Sequence, residues 1–203
     1  NRALLISSTG TGKTYASAFA LREMLQKRAK ETGRNVRALF LVHREQIAKQ
    51  ALRSYKNVFG ERYSFGLLSG NSKNYKSDIL FSTMQMMARE DIMKKFNAND
   101  FDIIIIDEVH RAGADSYQRI MNYFTPRFWM GMTASPDRTD GYDIYGLFNH
   151  NIAYEIRLQQ AMEEKLLCPF HYFGITDLEV DGHVIDDDDL NFVISKVLDF
   201  FTK

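Results

Sequence analysis

The stretch Phe101-Asp102-Ile103-Ile104-Ile105-Ile106-Asp107 constrains the fold more than any other part of the 203-residue chain. Four consecutive isoleucines leave no polar face, so the segment must be covered on both sides. A strand buried on both faces belongs in a parallel sheet layered between helices. Residues 3–7, 36–42, 63–68, 78–82 and 127–132 read as further strands, with later candidates at 152–156 and 171–176. Between them the apolar spacing is helical: Ala16, Ala20, Met24 and Leu25 share one face over 13–30, and Ile47, Ala48, Ala51, Leu52 and Tyr55 share another over 44–56. The expected fold is an α/β domain, a doubly wound and mostly parallel sheet with helices on both faces.

The first strand runs into Ser7-Ser8-Thr9-Gly10-Thr11-Gly12-Lys13-Thr14, followed by a long helical pattern. Strand, glycine-rich loop and helix form the context of a phosphate-binding loop. Glycines let backbone N–H groups curl around phosphate, and the helix N-terminus adds positive potential. Lys13 would reach the β- and γ-phosphates of ATP, and the Thr14 hydroxyl would ligate Mg²⁺. The strict pattern G-x-x-x-x-G-K-[ST] fails at Ser7, which is tolerable if that position ends the strand with ordinary φ. A plain glycine-rich turn is the competing reading.

The isoleucine run ends in Asp107-Glu108, with His110 two residues on. Carboxylates at the carboxyl end of a buried parallel strand sit where open α/β sheets bind ligands. There Asp107 can hold the Mg²⁺ of a nucleotide and Glu108 can orient or deprotonate the attacking water. Acidic residues also cap helices, so the pair gains weight only beside Lys13 and Thr14.

Zero net charge conceals an asymmetry: residues 1–100 carry 18 Lys+Arg and 8 Asp+Glu, and residues 101–203 carry 8 and 18. Either the charges lie on solvated faces, or a polyanion crosses the first half. No 18-residue apolar run exists to span a membrane. The single cysteine, Cys168, reads as a buried thiol in a reducing compartment, the cytoplasm. His43, His110, His150, His171 and His183 show no metal-ligand spacing, and no nucleophile motif appears.

Together SSTGTGKT (7–14), DEVH (107–110) and GMTASPDRTDG (131–141) make the chain resemble the first RecA-like domain of superfamily 2 helicases and translocases. Within them it is similar to the DExH group that includes the motor subunits of restriction enzymes. LFLVHREQIAKQA (39–51) resembles motif Ia, ILFSTMQMM (79–87) the strand-and-threonine motif after it, TAS (133–135) motif III, and LLCPFHYF (166–173) the extended strand beyond. The family loop commonly begins with alanine where this chain has Ser7. The resemblance implies that Ser8, Thr9, Gly10, Thr11, Gly12, Lys13 and Thr14 cradle ATP, and that Thr14 and Asp107 hold Mg²⁺. Lys13, Asp107, Glu108 and His110 would carry catalysis. His110, with Thr133 and Ser135, would couple nucleotide state to nucleic-acid grip. Arg44, Thr83 and Gln85 would contact a tracking strand's phosphates, with DNA favoured over RNA.

The resemblance also implies a missing partner, a second RecA-like domain of the same full-length chain that supplies arginine fingers. The present chain would therefore bind ATP weakly and hydrolyse it slowly. It reads as an excised piece: Asn1-Arg2 leads straight into a core strand, and the last helical pattern is still apolar at Phe201. Residues 1–176 would form the ATP-binding domain. Residues 177–203 would form an acidic turn, whose Asp186 to Asp189 suit a helix N-terminus better than a metal cluster, and an amphipathic helix carrying Leu190, Val193, Ile194, Val197 and Leu198. Arg138 falls in a surface turn. Three functions stay open: a DNA or RNA helicase or translocase, a nucleotide-dependent nucleic-acid clamp or sensor, and a P-loop switch unrelated to nucleic acid.

Overall fold

The computed structural model describes residues 1–70, 72–111, 115–136 and 142–168, together with the short strands at 179–180 and 183–184. The chain divides into two compact units, Asn1–Cys168 and Pro169–Lys203. In the second, β8 (Glu179–Val180) pairs antiparallel with β9 (His183–Val184). The expected strand at 171–176, the amphipathic segment at 190–201, the acidic run, Arg138 and the boundary after 176 lie outside the described residues.

The first unit follows the order β1 (Arg2–Ser7), α1 (Lys13–Thr32), β2 (Ala38–Val42), α2 (Glu45–Phe59), β3 (Phe65–Leu68), β4 (Ile79–Thr83), α3 (Met84–Met87), α4 (Glu90–Met93) and β5 (Ile103–Ile106). A 3-10 turn, Val109–Arg111, leads to α5 (Asp115–Tyr123), β6 (Phe128–Thr133), α6 (Ile144–Leu147), β7 (Ile152–Ile156) and α7 (Leu158–Glu163). The strands form one seven-stranded sheet ordered β3-β4-β2-β5-β6-β1-β7, every pairing parallel.

The isoleucine run explains itself here, because successive side chains of a strand point to opposite faces. Ile104 and Ile106 join Leu4, Ile6, Leu39, Leu41 and Phe124 on one face, under the short helices α3 to α6. Ile103 and Ile105 join Leu5, Phe40, Phe81, Met130 and Met132 on the other, under α1 and α2.

Two sequence expectations need correction. The buried face of α1 carries Ser17, Ala18, Leu21 and Leu25, whereas Ala16 and Ala20 are exposed. Helix α1 starts directly from the glycine loop, which fixes its rotation. The buried Ser17 hydroxyl is satisfied by the Thr14 carbonyl at 2.8 Å and the Tyr55 hydroxyl at 2.7 Å. Ala16 and Ala20 instead line a cavity of about 420 Å³ with Leu5, Tyr154 and Leu166 beside Lys13. Cys168 is exposed rather than buried, because it lies beyond α7 at the surface; burial therefore offers no argument about redox compartment. Helix α2 buries Ala48, Ala51, Tyr55 and Phe59, with Ile47 and Leu52 packed against them as expected.

Candidate functional site

A parallel sheet brings the carboxyl ends of all its strands to one edge, and that edge gathers the predicted residues. Strand β1 delivers the glycine loop, β5 delivers Asp107 and Glu108, β6 ends at Thr133, β2 leads to Arg44, and β4 ends at Thr83.

Ser7 remains within β1, paired with Ile156, and is buried. It has no need of positive φ, which removes the objection raised by the missing glycine. The two glycines that do need the left-handed region are Gly10 and Gly12, at φ 88° and 87°. A side chain at either would be strained, so glycine is required for the curl of the loop. The loop is self-bonded: Thr11 Oγ1 donates to the Ser8 carbonyl at 2.7 Å, Lys13 Nζ donates to the same oxygen at 3.0 Å, and the Ser7 and Thr11 hydroxyls share a hydrogen bond. Lys13 thus crosses the loop's mouth. Burial lowers its pKa, and the nearby Asp107 and Glu108 carboxylates oppose that shift.

At the end of β5 the Asp107 N–H donates to the Leu41 carbonyl at 2.9 Å, and Asp107 Oδ1 accepts the Glu108 N–H at 3.0 Å. Burial, reinforced by the neighbouring Glu108, pushes the Asp107 carboxyl up to about 6, against the pull of the Glu108 N–H and Lys13. A largely desolvated carboxylate beside Lys13 and the glycine loop could hold a divalent cation, which would supply the missing countercharge. Thr14, opening α1, is the matching hydroxyl donor. Because a raised carboxyl pKa favours the protonated fold, Asp107 is compatible with stability below about pH 4 and weakens it as pH rises through about 6. The Asp107→Asn domain is therefore expected to melt with the wild type at pH 4 and above it at pH 7. Thermal scans across this range check the sign; a destabilised variant at pH 7 contradicts it.

Glu108 occupies the left-handed region at φ 54°, uncommon for a residue with a side chain. Its Oε2 lies 3.3 Å from His110 Nε2, His110 Nδ1 lies 3.0 Å from Thr133 Oγ1, and that oxygen accepts the Ser135 N–H at 3.1 Å. Glu108, His110, Thr133 and Ser135 are thus one series of polar contacts linking the ends of β5 and β6.

On the other side of the edge, Arg44 is the exposed N-cap residue of α2, and Gln85 is exposed on α3. Val42 pairs with Thr83, so the ends of β2 and β4 are neighbours. The Thr83 hydroxyl accepts the Met86 N–H at 3.2 Å, capping α3. Sequence reasoning passed over two residues here. His43, at the end of β2, and Tyr117, on α5, each present a solvent-shielded polar atom with no hydrogen-bond partner among the described residues. Neither sits in a recognisable spacing, so only the tertiary structure reveals them.

A family model described as "Type III restriction enzyme, res subunit" matches residues 1–138. Among curated proteins, the type I restriction enzyme EcoAI endonuclease subunit of Escherichia coli is 28% identical over 208 residues, covering 92% of this chain and 25% of that protein. Among solved structures, a nuclease-deletion mutant of the type ISP restriction-modification enzyme LlaGI, in complex with a DNA substrate mimic, superposes with a TM-score of 0.61 at 20% identity, over 82% of this chain and 19% of that one. The Hef helicase domain of Pyrococcus furiosus gives 0.60 at 19% identity, over 76% and 34%. These superpositions show a RecA-like helicase fold. The chain spans about a quarter of the length of the curated relatives it matches.

Proposed function

The chain belongs to the family of type III restriction enzyme res subunits, and on that premise we propose that it is the ATP-binding half of an ATP-dependent DNA helicase or translocase. The observation that carries this reading is the convergence of Lys13, Asp107 and Glu108 at one sheet edge, with the Glu108–His110 pair at 3.3 Å continuing to Thr133.

In this reading the N–H groups of residues 8–14 and Lys13 hold the triphosphate. Lys13 exchanges the Ser8 carbonyl for phosphate oxygens, so that a bond charged on the lysine side alone becomes one charged on both sides. Thr14 and Asp107 hold Mg²⁺, which when bound neutralises charge building on the transferred phosphoryl group. Glu108 takes a proton from the attacking water. As phosphate leaves, His110 shifts against Thr133, and the end of β6 passes the change to Ser135 and the nucleic-acid side. Arg44, Thr83 and Gln85 meet the tracking strand through its backbone, giving sequence-tolerant and salt-sensitive binding. Thr83 does so while its hydroxyl oxygen caps α3, which leaves its proton to donate to a phosphate oxygen.

A second RecA-like domain completes the site, and an arginine finger from it accounts for about 10³–10⁵ in rate. DNA is favoured over RNA because the matching family model, the EcoAI subunit and the LlaGI structure are all of restriction enzymes. No helix among the described residues is long and apolar enough to cross a membrane. The test is ATP turnover by the full-length protein with DNA, RNA or neither, beside the isolated 203 residues. DNA-stimulated turnover by the full-length protein alone is expected. Stimulation by RNA only would reassign the substrate, and nucleic-acid-stimulated turnover by the isolated chain would refute the need for a second domain.

A further inference from the structure

Five side-chain polar atoms are shielded from solvent and without a hydrogen-bond partner among the described residues: His43 Nδ1, Tyr75 Oη, Ser77 Oγ, Asp102 Oδ2 and Tyr117 Oη. Such orphans are uncommon in folded proteins and call for a reason. Tyr75, Ser77 and Asp102 precede β4 and β5, at the edge remote from the glycine loop. His43 and Tyr117 stand apart from them, at the edge where Glu108 lies.

Tyr117 is 3% exposed, in the first turn of α5, directly after the segment that carries Glu108 and His110. Its hydroxyl is hidden and has no hydrogen-bond partner among the described residues. Burial raises the phenol pKa to about 12, and the charges that act on it are the Arg111 guanidinium and the Glu108 and Asp107 carboxylates. The phenol therefore stays protonated, an available donor near two acceptors. His43 emerges two residues beyond Leu41, whose carbonyl binds the Asp107 N–H. Burial and Arg111 lower the His43 pKa, with Glu108 opposing them, so its ring is neutral and its Nδ1 unused.

The Glu108 carboxylate itself is engaged elsewhere, 3.3 Å from His110 Nε2. A base held by a donor on the relay is not free to face a water molecule, and its left-handed backbone at φ 54° is a conformation the surroundings must enforce. We propose that Tyr117 is a positioning residue for the catalytic base: its hydroxyl, unpaired among the described residues, is a second seat for the Glu108 carboxylate, taken up when nucleotide is bound. In the resting protein Glu108 sits on His110. In the ATP-bound protein it moves to Tyr117, one oxygen accepting the phenolic proton and the other turned to the attacking water. The exchange takes Glu108 off His110 Nε2 while Nδ1 keeps its contact with Thr133, so arming the base and signalling along β6 become one event.

The inference rests on the ATPase reading above, and its test keeps the two apart. Tyr117→Phe in the full-length protein deletes one oxygen and keeps the buried ring. The expected result is a turnover number lowered about tenfold, the scale of one lost orienting hydrogen bond to a charged group, with KM for ATP within about twofold. The melting temperature should hold or rise, since the deleted hydroxyl has no partner to lose. In a Glu108→Gln background the same substitution should cause no further loss, because the two residues act as a unit. A turnover number within about twofold of an active wild type overturns the inference alone. So does a loss that accompanies a lowered melting temperature, or one that adds fully to that of Glu108→Gln. If the wild type hydrolyses no ATP with any nucleic acid, the functional reading fails and this inference with it.

Discussion

Glu108→Gln is expected to lower ATP turnover about 10²–10⁴-fold while ATP still binds. The amide keeps the size and the αL-placed backbone of the original but cannot accept a proton from water. The proposed phosphate cradle lies elsewhere, at Gly10, Gly12 and Lys13 beyond β1, so affinity should change little. Removing one carboxylate also relieves Asp107, whose pKa Glu108 helps to raise. Fluorescent-nucleotide titration and single-turnover hydrolysis separate the two effects. If turnover stays within about tenfold of wild type, Glu108 is not the base and another acceptor must be sought.

Phe40→Ala is expected to destabilise the domain by about 3–5 kcal/mol, a large share of the 5–15 kcal/mol typical of a whole domain. Phe40 is 1% exposed on the central strand β2. Its ring centroid lies 5.2 Å from Tyr55 on α2 and 5.2 Å from Phe81 on β4. Tyr55 in turn stacks on Phe59 at 6.0 Å and meets Phe81 edge-on at 5.2 Å. Truncation leaves a void shared by β2, β4 and α2. The melting temperature should fall by roughly 6–20 °C for a domain of this size. A drop of under about 2 °C would mean that the aromatic cluster contributes little beyond filling space.

Much of this molecule was legible from its residues, for physical reasons that also mark the limit. The isoleucines of β5 could be assigned to a two-sided strand because burial on both faces leaves no polar position. Asp107, Glu108 and Lys13 could be placed together because parallel strands share one carboxyl edge. The rotation of α1 escaped the pattern, since Ser17 looks polar in the sequence and is buried against Tyr55, 38 residues away. Ala16 and Ala20 look like core positions and instead face a cavity. His43 and Tyr117 were beyond reach for a related reason. An unsatisfied polar atom is defined by what fails to come near it, and no local spacing records that.

The strand order carries one further consequence. Strand β6 lies between β1, which bears the glycine loop, and β5, which bears the carboxylates. The two halves of the chemistry are therefore never in direct backbone contact. They are the outer boards of a three-plank deck whose middle plank ends in Thr133, 0% exposed and already bonded to His110 and Ser135. Any change in spacing between phosphate and carboxylate must shear that plank, lengthwise or in tilt. On the proposed ATPase reading no separate sensor for the nucleotide's state would be needed, because the divider between the reacting parts would itself be the gauge.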